Sequence, residues 1–197
     1  MKLSKIARIV KRSRMIDVID VGGRQWVYVG AEAYAIDGLP PITDGDQLLA
    51  VMDIPAGERE NYTVRIGCAE GELWGALLAE DFADDEAARV GDALIEWDGV
   101  LHVPLIPDGR GAPVWINDLY TIPYAGDEVE YCIREVGGQR VAAVRRGLSL
   151  VAVIAPRRIT AEMWEALDEC CAVGMRPAED PETDDGHAFR QTWLARA

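Results

Sequence analysis

The first fourteen residues of the chain hold six of its twenty lysine and arginine side chains and no acidic residue. At about 3.6 residues per helical turn, Lys5, Arg8 and Arg12 fall on one face of a predicted helix over residues 2–13. Lysine and arginine bind phosphate oxygens, and such contacts give sequence-independent binding to nucleic acids. The pattern therefore predicts either a phosphate-binding surface or a solvated helix face whose cations pair with acids elsewhere in the chain.

A second group of candidate residues lies near the C-terminus. Phe189, Trp193 and Leu194 are spaced to share one face of a helix over residues 187–194. The preceding residues 176–186 are acidic and contain proline, which is typical of an extended linker. A free helix this short is marginal in water. We therefore expect the segment to dock on the chain's own sheet, on a second subunit or on another protein.

The motifs of common enzymes are missing from the sequence. It contains neither a phosphate-binding glycine loop with its lysine nor the GxSxG signature of a serine hydrolase. Its two histidines and four cysteines show no metal-ligand spacing, so we predict no metal site, cofactor or catalytic residue. Carboxylates are too numerous for a catalytic pair to be recognised. His102, between Leu101 and Val103, is interpreted as a hydrogen-bonded histidine within a strand.

Composition narrows the class of protein further. The chain has 197 residues and a net charge of -14, which argues against a protein that coats DNA with a basic surface overall. No apolar run approaches the roughly 18 residues needed to span a bilayer, so we expect no membrane contact. The N-terminal residues do not resemble a signal peptide, and the expected location is therefore cytoplasmic.

Two runs of strands must position these candidate residues. Residues 128–156 predict three consecutive strands, with a Gly-Gly turn at 137–138 between the first two. Residues 15–36 show the same arrangement around a Gly-Gly turn at 22–23. The two runs either resemble each other by chance or are copies of one duplicated unit, in which a helix accompanies a three-stranded meander.

The remaining segments give weaker predictions. Alternation favours a strand over residues 72–78, and the acidic residues 81–86 lead into 87–90, a predicted solvated turn or short helix. Residues 114–124 predict a short helix opened by Asn117, or an irregular aromatic segment. A further helix is predicted over residues 160–172.

These elements predict an α+β fold with a mostly antiparallel sheet. We divide the chain into an N-terminal helix-plus-sheet lobe over residues 1–107 and a meander-plus-helix lobe over 108–175. The linker and tail follow over 176–197. The same chain could also form a single domain, because its length suits either arrangement.

The C-terminal run resembles the end of a DNA sliding-clamp domain. The residues that carry the likeness are WINDLYTIPYAG, then EVEYCIREV and QRVAAV, and last LSLVAVIAPRR with its proline-basic ending. At the N-terminus, KIARIVKRSR followed by strands is similar to the other half-unit of such a domain. In sliding clamps the helices line a central hole and present lysine and arginine to the DNA backbone, while the strands form outer sheets. The resemblance implies that Lys5, Arg8 and Arg12 face duplex DNA.

The chain departs from the clamp pattern in three respects: it is short, residues 114–124 carry no basic side chain, and residues 54–113 have no counterpart. The sequence as a whole also resembles small proteins carried by bacterial viruses and prophages. The leading prediction is a non-enzymatic, clamp-like DNA-associated or replication-accessory protein. The alternative is a protein-protein interaction module that makes no contact with DNA.

Overall fold

The computed structural model describes residues 3–30, 32–68, 72–80, 84–92, 94–97, 99–109 and 112–157. Three predicted features lie outside the described residues: the helix over 160–172, the linker over 176–186, and the tail segment with Phe189, Trp193 and Leu194.

Three α-helices, two 3₁₀ helices and eleven strands make up the described part of the chain. The helices are α1 (Leu3–Ser13), α2 (Gly45–Val51), α3 (Glu72–Leu77) and the 3₁₀ helices Ala56–Asn61 and Asp118–Tyr124. The strands are β1 (Met15–Val21), β2 (Arg24–Val29), β3 (Glu32–Ala35), β4 (Thr63–Cys68), β5 (Glu86–Val90), β6 (Ile95–Trp97), β7 (Val100–Pro107), β8 (Val114–Asn117), β9 (Glu130–Val136), β10 (Gln139–Arg146) and β11 (Ser149–Ile154).

All eleven strands belong to one open sheet, and the fold is α+β as predicted. The strand order is β4-β1-β2-β3-β11-β10-β9-β5-β7-β6, with β8 also paired to β7. The pairing of β1 with β4 is parallel, and the other pairings among the described strands are antiparallel. Strands from both sides of residue 107 share this sheet, and the division into lobes stays a prediction.

The two predicted meanders are confirmed, and they lie side by side. β1-β2-β3 meets β9-β10-β11 where β3 pairs with β11, with Tyr34 opposite Ala152. Both Gly-Gly turns are two-residue hairpins in which each glycine has positive φ: 64° and 81° at residues 22–23, and 59° and 77° at residues 137–138. Such turns need two left-handed residues, and glycine adopts that conformation without steric cost.

Each face of the sheet has its own core, because successive strand residues point to opposite faces. The inner core packs against α1, α2 and the second 3₁₀ helix, and includes Ile6, Val10, Tyr34, Leu48, Leu119 and Ile154. The outer core packs against α3 on the opposite face, and includes Trp26, Trp74, Leu78, Val141 and Val153. Helix α1, which carries the predicted cationic residues, therefore lies on the inner face of the sheet.

Two predictions for the middle of the chain are wrong. Residues 72–77 form α3 rather than a strand, because Trp74, Leu77 and Leu78 have helical spacing and together cover the outer core. Residues 86–90 form β5 rather than a turn or short helix, because they pair with both β9 and β7. Pairing on both sides outweighs the low strand propensity of this acidic, alanine-rich segment.

Candidate nucleic-acid interface

Helix α1 lies against the sheet through one apolar face. Ile6, Ala7, Ile9 and Val10 are all buried and form this face. Burying each of the larger side chains contributes about 1.5–3 kcal/mol. This packing fixes the rotation of the helix, so its opposite face points to solvent.

The exposed face of α1 is cationic. Arg8, Lys11 and Arg12 are exposed, and Arg14 is exposed directly beyond the end of the helix. Arg14 has a left-handed φ of 56°, its amide donates to Val10 O at 2.8 Å, and its carbonyl accepts from Thr63 N at 2.9 Å. The end of α1 is thereby tied to β4. We call Arg8, Lys11, Arg12 and Arg14 the cationic face.

Lys5 has a different environment from the two arginines with which it was predicted to act. Its side chain is half-buried, and Nζ donates to Ala125 O at 2.8 Å, at the end of the second 3₁₀ helix. Lys5 thus joins α1 to the neighbouring helix, while Arg8 and Arg12 extend into solvent. The structure brings all three residues onto one helix but gives Lys5 a structural contact as well.

Most arginines elsewhere in the described chain are paired with acids. Six of the nine lie within ion-pair distance of a carboxylate: Arg24, Arg65, Arg134, Arg140, Arg145 and Arg146. Within the same described ranges, no carboxylate forms such a pair with a member of the cationic face. Within the described part of the chain, the cationic face is therefore not neutralised by a carboxylate.

Tyr120 lies close enough to Arg12 and to a buried acid, Glu32, to interact with both. Glu32, at the start of β3, is only 2% exposed. Burial raises the pKa of Tyr120 to about 12, and the charge of Glu32 and a hydrogen bond from Tyr120 to it act in the same direction. A hydrogen bond with Asn117 and the charge of Arg12 act in the opposite direction. Tyr120 therefore stays a neutral phenol next to the cationic face at physiological pH.

The second 3₁₀ helix is the neighbour of α1 and matches part of the prediction for residues 114–124. The helix covers Asp118–Tyr124, whereas Val114–Asn117 forms β8. Asn117 opens it as predicted, since its Oδ1 accepts from Leu119 N at 2.9 Å. The Tyr124 hydroxyl donates to Val151 O at 2.9 Å, and the Tyr124 ring stacks on Tyr34 with 6.2 Å between centroids. These contacts hold the helix on the sheet. It contributes no cation, so the cationic face comes from α1 and the residue that follows it.

On the outer face of the sheet, a buried arginine forms a network that the sequence did not suggest. Arg134 on β9 is fully buried, and its guanidinium donates to both carboxylate oxygens of Asp85 at 2.8 Å. It also donates to Leu77 O at 2.7 Å and Ala79 O at 2.9 Å. Arg145 reaches the same carboxylate at 3.0 Å. The network anchors the chain around α3 over the sheet. Because Arg134 and Asp85 are buried, we assign the network a structural role.

The other titratable residues considered from the sequence show no catalytic arrangement in the described ranges. His102 lies in β7 and is 4% exposed. Cys132 is a half-buried free thiol, and burial, with Asp85 nearby, raises its pKa. No group of three histidine, cysteine or acidic side chains within the described part of the chain lies close enough to hold a metal ion.

Comparison with known proteins returned no match: no protein-family model, no curated protein and no solved structure is similar to the chain. Each helix in the described residues is too short or too polar to cross a membrane.

Proposed function

We propose that the protein is a non-enzymatic, DNA-associated accessory protein that contacts the phosphate backbone of duplex DNA through α1. The observation that carries the proposal is the cationic face itself. Four exposed cations lie together on α1 and the residue that follows it, in a chain of net charge -14, while most arginines of the described sheet are paired with acids. A cationic patch with no carboxylate partner among the described residues, on an acidic protein, suits a polyanion as its partner.

The contact is expected to be independent of DNA sequence. Arginine and lysine bind phosphates without reading base edges, and phosphate contacts position a protein rather than specify a site. Lys5, Arg8 and Arg12 are the residues that we assign to DNA, together with Lys11 and Arg14. Among them Arg8 and Arg12 have the leading role, because the Lys5 ammonium already donates to Ala125 O.

We further propose that the protein is clamp-like, and the arrangement of the meanders supports this proposal. The six strands lie in the order β1-β2-β3-β11-β10-β9. If β1, β2 and β3 correspond to β9, β10 and β11, the order is symmetric about the boundary between β3 and β11. A helix precedes each meander, α1 in one case and the 3₁₀ helix Asp118–Tyr124 in the other, and these two helices contact each other. We propose that the two units arose by duplication and that α1 kept the DNA-facing role which clamp helices have.

A binding assay with charge-reversed variants tests the proposed function. The double variant Arg8→Glu/Arg12→Glu is compared with Arg89→Glu/Arg146→Glu, which makes the same change in net charge at exposed positions on the sheet. Binding to a fluorescein-labelled duplex of mixed sequence is measured by anisotropy at low salt. We expect wild type and the sheet variant to bind and the α1 variant to lose binding.

Circular dichroism spectra of all three proteins control for unfolding. Absence of binding by wild type, or equal loss of binding in both variants, contradicts a localised DNA contact. It would favour the protein-protein interaction module instead. In that alternative the predicted docking residues are Phe189, Trp193 and Leu194.

A further inference from the structure

Strands β5 and β9 are paired along only part of their length. Their ladder begins with Glu86 opposite Ile133 and ends with Ala88 opposite Tyr131. β5 nevertheless continues to Val90 alongside β7, and the chain before β9 continues back through Val129. The two segments therefore diverge into a fork, which we define as the space between residues 88–90 and residues 129–131.

The backbone on the β5 side of the fork has an unpaired position. Ala87 O accepts from Asp108 N at 2.9 Å, and Gly91 N donates to Pro104 O at 2.8 Å, so both residues direct their backbone groups toward β7. Successive residues of an antiparallel strand direct these groups alternately to the two neighbours. The N–H and C=O groups of Val90 consequently point away from β7 and into the fork.

The opposite side of the fork has a matching position. Ala88 lies between Ala87 and Arg89 and by the same alternation directs its backbone groups toward β9, so Tyr131, which is opposite Ala88, directs its own toward β5. Val129 lies two residues earlier and, by the same alternation, also directs its groups toward β5. The pairing of Val90 with Val129 would be the next step of the ladder, and the described residues do not form it. Two donors and two acceptors thus face one another across the fork.

The fork is an open pocket of about 470 Å³. Ala88, Val90, Val129 and Tyr131 line it on the side of the inner core. The exposed side chains of Arg89 and Glu130, of opposite charge, lie on its other side. In a strongly acidic chain, this pocket has a balanced charge and an apolar wall.

We propose that the fork binds an extended segment of another protein, which inserts as a strand between β5 and β9. A peptide backbone presents donors and acceptors in the alternation that Val90 and Val129 require, and main-chain pairing of this kind is a general mode of peptide recognition. Side chains at every second position of the inserted segment would contact the apolar wall. Because the opposite charges of Arg89 and Glu130 cancel at the pocket, we expect the inserted segment to be uncharged where it contacts them. This inference is independent of the proposed contact with DNA.

Binding of synthetic peptides to the full chain tests the inference. The probe is a pool of labelled hexapeptides in which valine, isoleucine or phenylalanine alternates with threonine or serine. Retention by wild type is compared with that by Ala87→Trp, which places a bulky side chain at an exposed residue lining the pocket, and by Ala50→Trp, at a matched exposed alanine on α2. The exchange of the Val90 and Val129 amides is followed by nuclear magnetic resonance with and without the retained peptide.

We expect wild type and Ala50→Trp to retain peptide and Ala87→Trp to retain none. The Val90 and Val129 amides should exchange rapidly in the free protein and become protected in the complex. N-methylation of one central peptide amide should weaken binding about fivefold to tenfold, since a buried acceptor then loses its donor.

Three results would overturn the inference. They are retention of no peptide by wild type, equal retention of N-methylated and unmodified peptides, and protection of both amides before any peptide is added. The last result would mean that the chain itself already occupies the fork.

Discussion

Removal of the Arg134 guanidinium should destabilise the protein more than any surface charge change. In Arg134→Met the Asp85 carboxylate, whose side chain is 5% exposed, loses two hydrogen bonds at 2.8 Å. The carbonyls of Leu77 and Ala79 lose their donors as well. Breaking a buried ion pair by removing one partner costs about 3–5 kcal/mol, because the other charge stays buried. Arg145 keeps its contact with Asp85 at 3.0 Å, which places the expected loss toward the lower end of that range.

The assay is urea unfolding followed by circular dichroism, with thermal unfolding in parallel. For a chain of this length, about 3–5 kcal/mol corresponds to a fall in Tm of roughly 6–20 °C. Arg146→Met is the matched control. Arg146 lies on the neighbouring strand, its side chain is 45% exposed, and it pairs with Asp127 at 2.6 Å. An exposed pair of this kind contributes about 0–1 kcal/mol. Equal and small losses in the two variants would refute the assignment of Arg134 as the anchor of the α3 segment.

Two further predictions concern packing and pH. A Cβ at Gly91 would lie 2.8 Å from Pro104 Cγ and 2.9 Å from Ile106 Cδ1. Gly91→Ala should therefore lower the free energy of unfolding by about 1–3 kcal/mol, measured by thermal unfolding. Gly57→Ala is the control and should cost far less, because a Cβ at Gly57 would meet open space. Burial holds the pKa of Tyr120 near 12, above its ordinary value of 10. The folded state therefore keeps the phenol proton after the unfolded state has lost it, and the stability from this group is complete below pH 10 and is lost as the pH rises from 10 to 12. Urea unfolding of wild type and Tyr120→Phe across that range measures this; parallel pH curves for the two proteins would contradict it.

Periodicity and turn chemistry predicted the meanders and α1 because both signals are local. The Gly-Gly turns at 22–23 and 137–138 need positive φ at both residues, and the structure has it there. Val129, Tyr131 and Ile133 face the inner core, in the period-2 alternation of a strand. The opposite face of β9 is not all solvated, since Arg134 is fully buried on it.

What the sequence could not provide was the partner of each segment. Arg134 is buried because α3 and the chain that follows it cross the outer face of the sheet, and their position depends on long-range contacts with Asp85. β5 became a strand for the same kind of reason, through pairing with β9 and β7. Glu32 gave no signal either, because it lies at the edge of a short apolar strand and its burial comes from elements far away in the chain.

The salt dependence of DNA binding tests the phosphate contact most directly. Each cation that neutralises a phosphate of duplex DNA adds about -0.9 to the slope of log K against log salt concentration. If all four residues of the cationic face make such contacts and Lys5 stays bonded to Ala125 O, the wild-type slope should be about -3.6. Arg8→Gln/Arg12→Gln should then reduce the steepness by about 1.8, while Arg146→Gln should leave it unchanged. Wild type that fails to bind at the lowest salt, or a slope that is the same for wild type and the α1 variant, would contradict the account.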